Sequence, residues 1–312
     1  MDKNLISAPS PHIHSDVTSR RLMADVVIAL LPACFAACVI FGTKALAVLL
    51  VCTVSAVVAE AVFNLVTDQP QSISDLSAVV TGILLGLNLS TNVALWQCAV
   101  GAGFAVVVAK KLFGGMGKNF ANPAITGRIF MLLAFSSVAG GAKPIIGAAA
   151  DAVSSATPLE FISQGNTEAL PVLKDMLLGL RGGAVGETCI IALLLGYAFL
   201  IARKVIKWYI PAIFAGTVFV CSLLGYGSFT LAVYELLSGG LILGAVFMAT
   251  DYVTTPINAK GRMVFAFGCG LITFAIRYWF AYPEGVSFSI LVMNVLTPLI
   301  EKLTRNKPLG GV

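Results

Sequence analysis

The sequence predicts an all-α polytopic membrane protein with about ten transmembrane segments in two inverted five-helix repeats. Three observations carry that prediction. Hydrophobic residues make up 58% of the 312 and charged residues 11%, against about 25% charge in soluble domains. Mean hydropathy is +0.93. The apolar residues also gather into ten windows, at 22–42, 45–66, 77–90, 94–112, 123–139, 186–204, 208–225, 236–250, 263–280 and 285–303, most of them long enough to cross a bilayer. The net charge of +5 comes from basic residues scattered among the joints rather than from a patch, so no nucleic-acid surface is expected.

Residues 1–21 are polar and lead through Arg20 and Arg21 into the first window. No small-residue cleavage site follows that window, so it is expected to stay in the membrane. The first five windows form one repeat (22–139), and the last five form the second (186–303). A polar stretch, 140–185, joins them, and a short tail, 304–312, closes the chain. Of the 20 basic residues, only Lys44, Lys143, Lys174, Arg181 and Arg277 fall in the outer loops of a ten-crossing topology. The positive-inside rule then puts both termini in the cytoplasm and turns 140–185 outward.

Windows 77–90 and 236–250 are short and glycine-rich, and they run into polar residues (Asn88-Leu-Ser-Thr-Asn92 and Thr250-Asp251). Asp75-Leu-Ser before Gly82-Ile-Leu-Leu-Gly86 is echoed by Glu235-Leu-Leu-Ser before Gly240-Leu-Ile-Leu-Gly244, half a chain later. An odd number of crossings per half requires inversion, and broken segments at matching places mark a site near the midplane. Small-residue spacing of this kind also serves plain helix packing. The seven cysteines lie inside apolar runs without metal or disulfide spacing and read as packing residues.

No hydrolase triad, phosphate loop or metal cluster is visible. Asp151-Ala-Val-Ser154-Ser-Ala156-Thr157-Pro158 offers a threonine hydroxyl among small residues, which on its own reads as a Ser/Thr turn ending at a proline. A second polar group gathers Lys118, Asn119, Asn122 and Arg128 with Asp251, Thr254 and Arg262 on the cytoplasmic side, where Asn-Pro and Thr-Pro also suit helix starts. Among intramembrane ionisable residues, Glu60 is the ion-pathway candidate. Asp25 is expected to pair with Arg21 one turn away, and Glu187 is expected at the membrane interface.

The run Asp151-x-x-Ser154-x-Ala156-Thr157 is similar to the motif at which a flavin transferase links FMN to threonine through a phosphoester. Ser10-Pro-His12, Leu112-Phe-Gly-Gly-Met-Gly-Lys-Asn119, Asn122-Pro-Ala124, Leu237-Ser-Gly-Gly240, Thr250-Asp251, Gly261-Arg262 and Tyr282-Pro-Glu-Gly-Val286 span the chain in order. Together these motifs resemble the RnfD family, the D subunits of the Rnf ion-translocating ferredoxin:NAD oxidoreductases. That family is related to the B subunit of the sodium-pumping NADH:quinone oxidoreductase. Ala152 and Tyr252 stand where the family usually has glycine and proline.

The resemblance implies covalent FMN on Thr157, with Asp151, Ser154 and Ala156 completing the transferase motif. It also implies a second, non-covalent flavin, riboflavin, for which the cytoplasmic group is the candidate pocket. The implied partners are the A, B, C, E and G subunits of the Rnf complex, a flavin transferase and the lipid bilayer, in a bacterial cytoplasmic membrane. The implied activity is electron transfer between ferredoxin and NAD coupled to Na+ or H+ translocation. The same inverted architecture would also serve a channel or carrier for small polar solutes, because fold does not settle function.

Overall fold

The computed structural model describes residues 18–135, 141–145, 157–280 and 284–305. Among these residues the structure is helical, apart from one isolated bridge between Ala142 and Gly183. Helix α1 (Ser19–Phe41) starts at Thr18, whose hydroxyl accepts from Arg21 N. Gly42, at φ +70°, turns the chain into α2 (Thr43–Val66). A 3-10 turn (Ile73–Asp75) precedes α3 (Ser77–Leu87), and Asp75 Oδ1 accepts from Ser77 N at 2.8 Å. Helix α4 (Leu95–Val107) runs on to a second turn (Lys111–Phe113), and α5 (Pro123–Ala134) closes the first half.

Two short helices, α6 (Pro158–Ser163) and α7 (Leu173–Leu178), lie in the joining stretch. The second half holds α8 (Ile190–Ala202), α9 (Tyr209–Tyr226), α10 (Phe229–Leu237), α11 (Leu241–Leu243), α12 (Ala259–Trp279) and α13 (Val286–Leu303). A π-helical turn (Gly244–Met248) continues α11.

Among the described residues, six helices are long and apolar enough to cross a membrane: α1, α2, α4 with its following turn, α9, α12 and α13. The pair Phe229–Leu237 and Leu241–Met248, bent by 60°, makes a seventh if it crosses as one broken span. The ten-crossing expectation overcounts full-length helices. Windows 123–139 and 186–204 yield α5, with 12 residues, and α8, with 13. Each is about 18–20 Å long, well short of the roughly 30 Å hydrocarbon core. Before α8 the chain is irregular because its backbone is already engaged: Val185 N donates to Leu89 O, Gly186 N to Leu87 O, and Gly183 pairs with Ala142.

Packing within the first half joins α2 to α3 and α4, and α4 to α5; in the second half α9 packs on α12, and α12 on α13. Contacts α1–α8 and α5–α13 join the halves. A methyl at Gly82 would lie 2.5 Å from Thr53 Cα, so α3 meets the α2 backbone as only small residues allow. Outward, Phe35, Leu65, Leu224 and Leu303 expose most of their surface, a pattern suited to lipid rather than water. Below, "terminal end" denotes the end where α1 begins and α13 finishes, and "loop end" the end carrying α6 and α7.

Candidate functional site

At the terminal end, a cleft opens between the first turns of α1, α3 and α5, the chain after α8, and the irregular stretch after the π turn. Its walls are mostly apolar (Leu22, Val26, Leu84, Leu200, Phe247), with a few convergent polar groups: Lys110, Ser77, Thr81, Asn119, Asn122 and Asp251. Asn122 caps α5, its Oδ1 accepting from Ala124 N at 3.0 Å and Ile125 N at 3.4 Å, while Pro123 opens the helix. Its amide also donates to Met248 O at 3.5 Å, tying α5 to the end of the π turn. Asn119 reaches the cleft through a tight turn in which Gly114, Gly115 and Gly117 all have φ between +90° and +105°, a region that glycine alone enters freely.

Asp251 accepts from Val253 N at 3.2 Å and Thr254 Oγ1 at 3.1 Å. Thr254 itself lines an adjoining cavity with Asn119, Tyr252 and Asn294. Helix α13 holds this stretch in place: Thr297 Oγ1 donates to Thr254 O at 2.9 Å, and the Asn294 amide, correctly oriented, bridges Thr254 O and Asn122 N.

The structure therefore brings together Asn119, Asn122, Asp251 and Thr254 from the expected group and separates the other three. Arg128 is buried within α5 and faces the loop end, where it pairs with Glu284. One and a half helical turns beyond the cap, its side chain cannot return to the cleft. Arg262 donates through Nε to Pro256 O, and Lys118 folds against Gly114; neither lines the cleft.

Sequence reasoning missed Lys110. Its ammonium lies 2.8 Å from Glu60 Oε2 and 2.6 Å from Ser77 Oγ, with Lys111 3.8 Å from the other Glu60 oxygen. Glu60 is wholly buried in this cluster, which backs the cleft wall. Asp25 also departs from expectation: it pairs with Arg203 at 3.2 Å and not with Arg21, because α8 ends beside the first turns of α1.

At the loop end, Thr157 is the N-cap of α6 in a capping box. Its Oγ1 accepts from Glu160 N at 3.3 Å, and Glu160 Oε2 accepts from Thr157 N at 2.7 Å. Asp151, Ser154 and Ala156 lie outside the described residues. Leu159 reaches Gly239, next to Arg277 Nη2. Arg277 is buried and pairs with Glu235 at 2.8 Å. Arg181, also buried, donates to Glu187 O and Leu237 O. Glu187 is buried too, since residues 183–187 are tucked against the end of α3.

The family model described as NQR2, RnfD, RnfE matches residues 6–310. The chain is 42% identical to the D subunit of the Na(+)-translocating ferredoxin:NAD(+) oxidoreductase complex of Acetobacterium woodii, over 98% of this chain and 96% of that protein. It is 37% identical to the D subunit of the proton-translocating ferredoxin:NAD(+) oxidoreductase complex of Clostridium ljungdahlii, over 99% and 97%. Identity to the D subunit of the ion-translocating oxidoreductase complex of Stutzerimonas stutzeri is 35%, over 93% and 92%. An end-to-end match of this kind leaves no part of the described architecture unaccounted for: the chain belongs to the NQR2, RnfD, RnfE family.

Proposed function

We propose that the chain is the flavin-carrying membrane subunit of a complex that couples electron transfer between ferredoxin and NAD to Na+ or H+ translocation. The end-to-end match to relatives that carry these activities in their names is the observation behind this reading. In it, the A, B, C, E and G subunits surround the chain, and it makes about ten crossings of the bacterial cytoplasmic membrane with both termini inside. The two halves are inverted repeats, supported by α2–α4 and α4–α5 packing that has a counterpart in α9–α12 and α12–α13. The short helices and the bent pair then meet near the midplane.

Two sites for flavin follow. Thr157, on the outer side, offers a hydroxyl at a helix start, where a phosphoester could be attached by a flavin transferase that reads Asp151, Ser154 and Ala156. The cleft at the terminal end is the candidate site for riboflavin, because a few convergent polar groups stand on otherwise apolar walls there. Its polar groups on apolar walls match a flat ring with donors and acceptors along one edge.

Bound flavin would supply single-electron chemistry. The Asn119 and Asn122 amides would orient the ring edge, and Leu22, Leu84 and Phe247 would exclude water. Lys110, held by Glu60, offsets negative charge that enters the bundle in a low dielectric.

Fluorescence of the denatured protein in a gel, together with mass spectrometry of the 151–160 peptide, tests the covalent site. Protein made with a flavin transferase should fluoresce and carry FMN on Thr157. Thr157→Ala should lose the adduct entirely, at a folding cost of about 0.5 kcal/mol or slightly more, since it removes only one cap bond. An adduct persisting in the alanine variant would move the site to Ser154 or Ser155. No adduct on the wild type would end the flavin reading of this loop.

A further inference from the structure

The carboxylates buried in this protein fall into two groups. Asp25, Glu60 and Glu235 each have a lysine or arginine nitrogen at ion-pair distance, as does the half-buried Glu284. Among the described residues, Glu187, 5% exposed, has none, and neither does the half-buried Asp251 on the cleft wall. Its Oε1 accepts from Ala184 N at 3.0 Å. A carboxylate that carries a mobile cation must be free to exchange that cation. One locked to a permanent ammonium or guanidinium would leave an uncompensated buried charge whenever the mobile ion displaced its partner. Glu60, clasped by Lys110 and Lys111, is locked in this way.

Glu187 also sits where the broken helices converge. The backbone just before it is pinned to the C-terminal end of α3, by Gly186 N to Leu87 O at 2.7 Å and Val185 N to Leu89 O at 2.9 Å. That end carries the negative pole of the helix. A methyl group placed on Gly240, at the break between α10 and α11, would have two atoms near it: Glu187 Oε2 at 3.5 Å and Asn88 Oδ1 at 3.7 Å. Two oxygen ligands from side chains that are each 5% exposed therefore face one small space beside a glycine.

Polar groups extend from this point in both directions. Toward the loop end stand Arg181 Nε and Nη1, Thr188 Oγ1 and Ser238 Oγ, buried polar atoms without a protein partner and therefore free to hold water. Toward the terminal end, Asn88 Nδ2 touches Met248 Sδ at 3.8 Å, and Met248 O accepts from Asn122 on the cleft wall. Arg181, Arg128 and Glu284 act electrostatically on Glu187 without touching its carboxylate oxygens. The two arginines weaken the hold on a cation, as a site that must also release it requires.

We propose that Glu187 is the carboxyl that takes up and releases the translocated monovalent cation, Na+ or H+, with Asn88 Oδ1 as its companion oxygen where the broken helices meet. The assignment rests on the reading of the chain as part of an ion-translocating oxidoreductase. The complete complex in liposomes tests it, with ferredoxin-driven NAD reduction, ²²Na+ uptake and a pH-sensitive dye followed together.

Glu187→Gln should keep flavin content and assembly, and Na+ should no longer stimulate its NAD reduction. Its cation uptake per electron should fall to the level of empty liposomes. Glu187→Asp, which keeps the charge but retracts it, should raise the Na+ concentration for half-maximal turnover while the rate at saturating Na+ holds. If Na+ does not affect turnover and the dye reports the loss instead, the cation is H+. A wild-type ratio of cations to electrons in Glu187→Gln overturns the assignment, as does loss of uptake in Glu60→Gln alone. Wild-type complex that reduces NAD without moving either cation would defeat the translocation reading itself, and the site with it.

Discussion

Glu60 and Glu235 anchor buried ion pairs at opposite ends of the molecule, and the two pairs are built from different bases. At the loop end, all three nitrogens of Arg277 donate. Nη1 donates to Glu235 Oε2 and Glu235 O, Nη2 to Ser238 O and Nε to Glu284 O. Three of those acceptors are backbone carbonyls, two of them at the break after α10, where a bent membrane helix leaves carbonyls that lipid cannot satisfy. At the terminal end, a lysine does the pairing, and its compact ammonium binds Glu60 and Ser77 while still bordering the cleft. The planar arginine closes a broken helix, whereas the lysine leaves its charge available to a cavity. Equal-looking pairs thus serve unequal ends, because guanidinium and ammonium distribute their donors differently.

The comparison predicts a graded series of losses. Arg277→Ala strands Glu235 and the carbonyls of the break, and should cost about 3–5 kcal/mol. Thermal unfolding in detergent should show a large drop in Tm, and Arg277→Lys should recover little of it. Lys110→Ala should cost less, about 1.5–3 kcal/mol, because Lys111 already stands 3.8 Å from Glu60. The double variant at Lys110 and Lys111 should approach the Arg277 value; additivity with no such coupling would show that Lys111 does not substitute.

Asp251→Ala should lower non-covalent flavin, measured by chromatography after denaturation, with covalent FMN intact. Arg128→Ala should leave both flavins in place and register in Tm instead, since its partner is Glu284. Asp25→Asn should be the mildest change, about 0–1 kcal/mol, because Arg203 is 41% exposed.

Local features were legible before the structure. Asn122-Pro123 caps and starts a helix as its chemistry dictates, whereas Thr157, which reads as a turn ending at Pro158, proves to cap α6. The helix break at Gly239-Gly240 also falls where the short window placed it. What one sequence cannot show is which distant charge each ion meets. Arg128 and Glu284 lie 156 residues apart and Asp25 and Arg203 178 apart, separations at which periodicity carries no information. Nothing in the pattern around Lys110 shows that its side chain turns inward to Glu60. Hydropathy likewise overestimates α5 and α8, because apolar residues can be buried in irregular chain as readily as in helix.

The shortness of α3 bears on how this protein is made. Eleven residues span about 16 Å, roughly half of the hydrocarbon core, so α3 cannot leave a protein-conducting channel as an independent unit. Gly82 and Gly86 press its backbone into α2 around Cys52, Thr53 and Leu49. Emerging α2 therefore offers α3 a ready groove, and α4, which also packs on α2, seals it from behind. Biogenesis of this half is thus a matter of templating, each segment entering the lipid on the surface of the one synthesised before it.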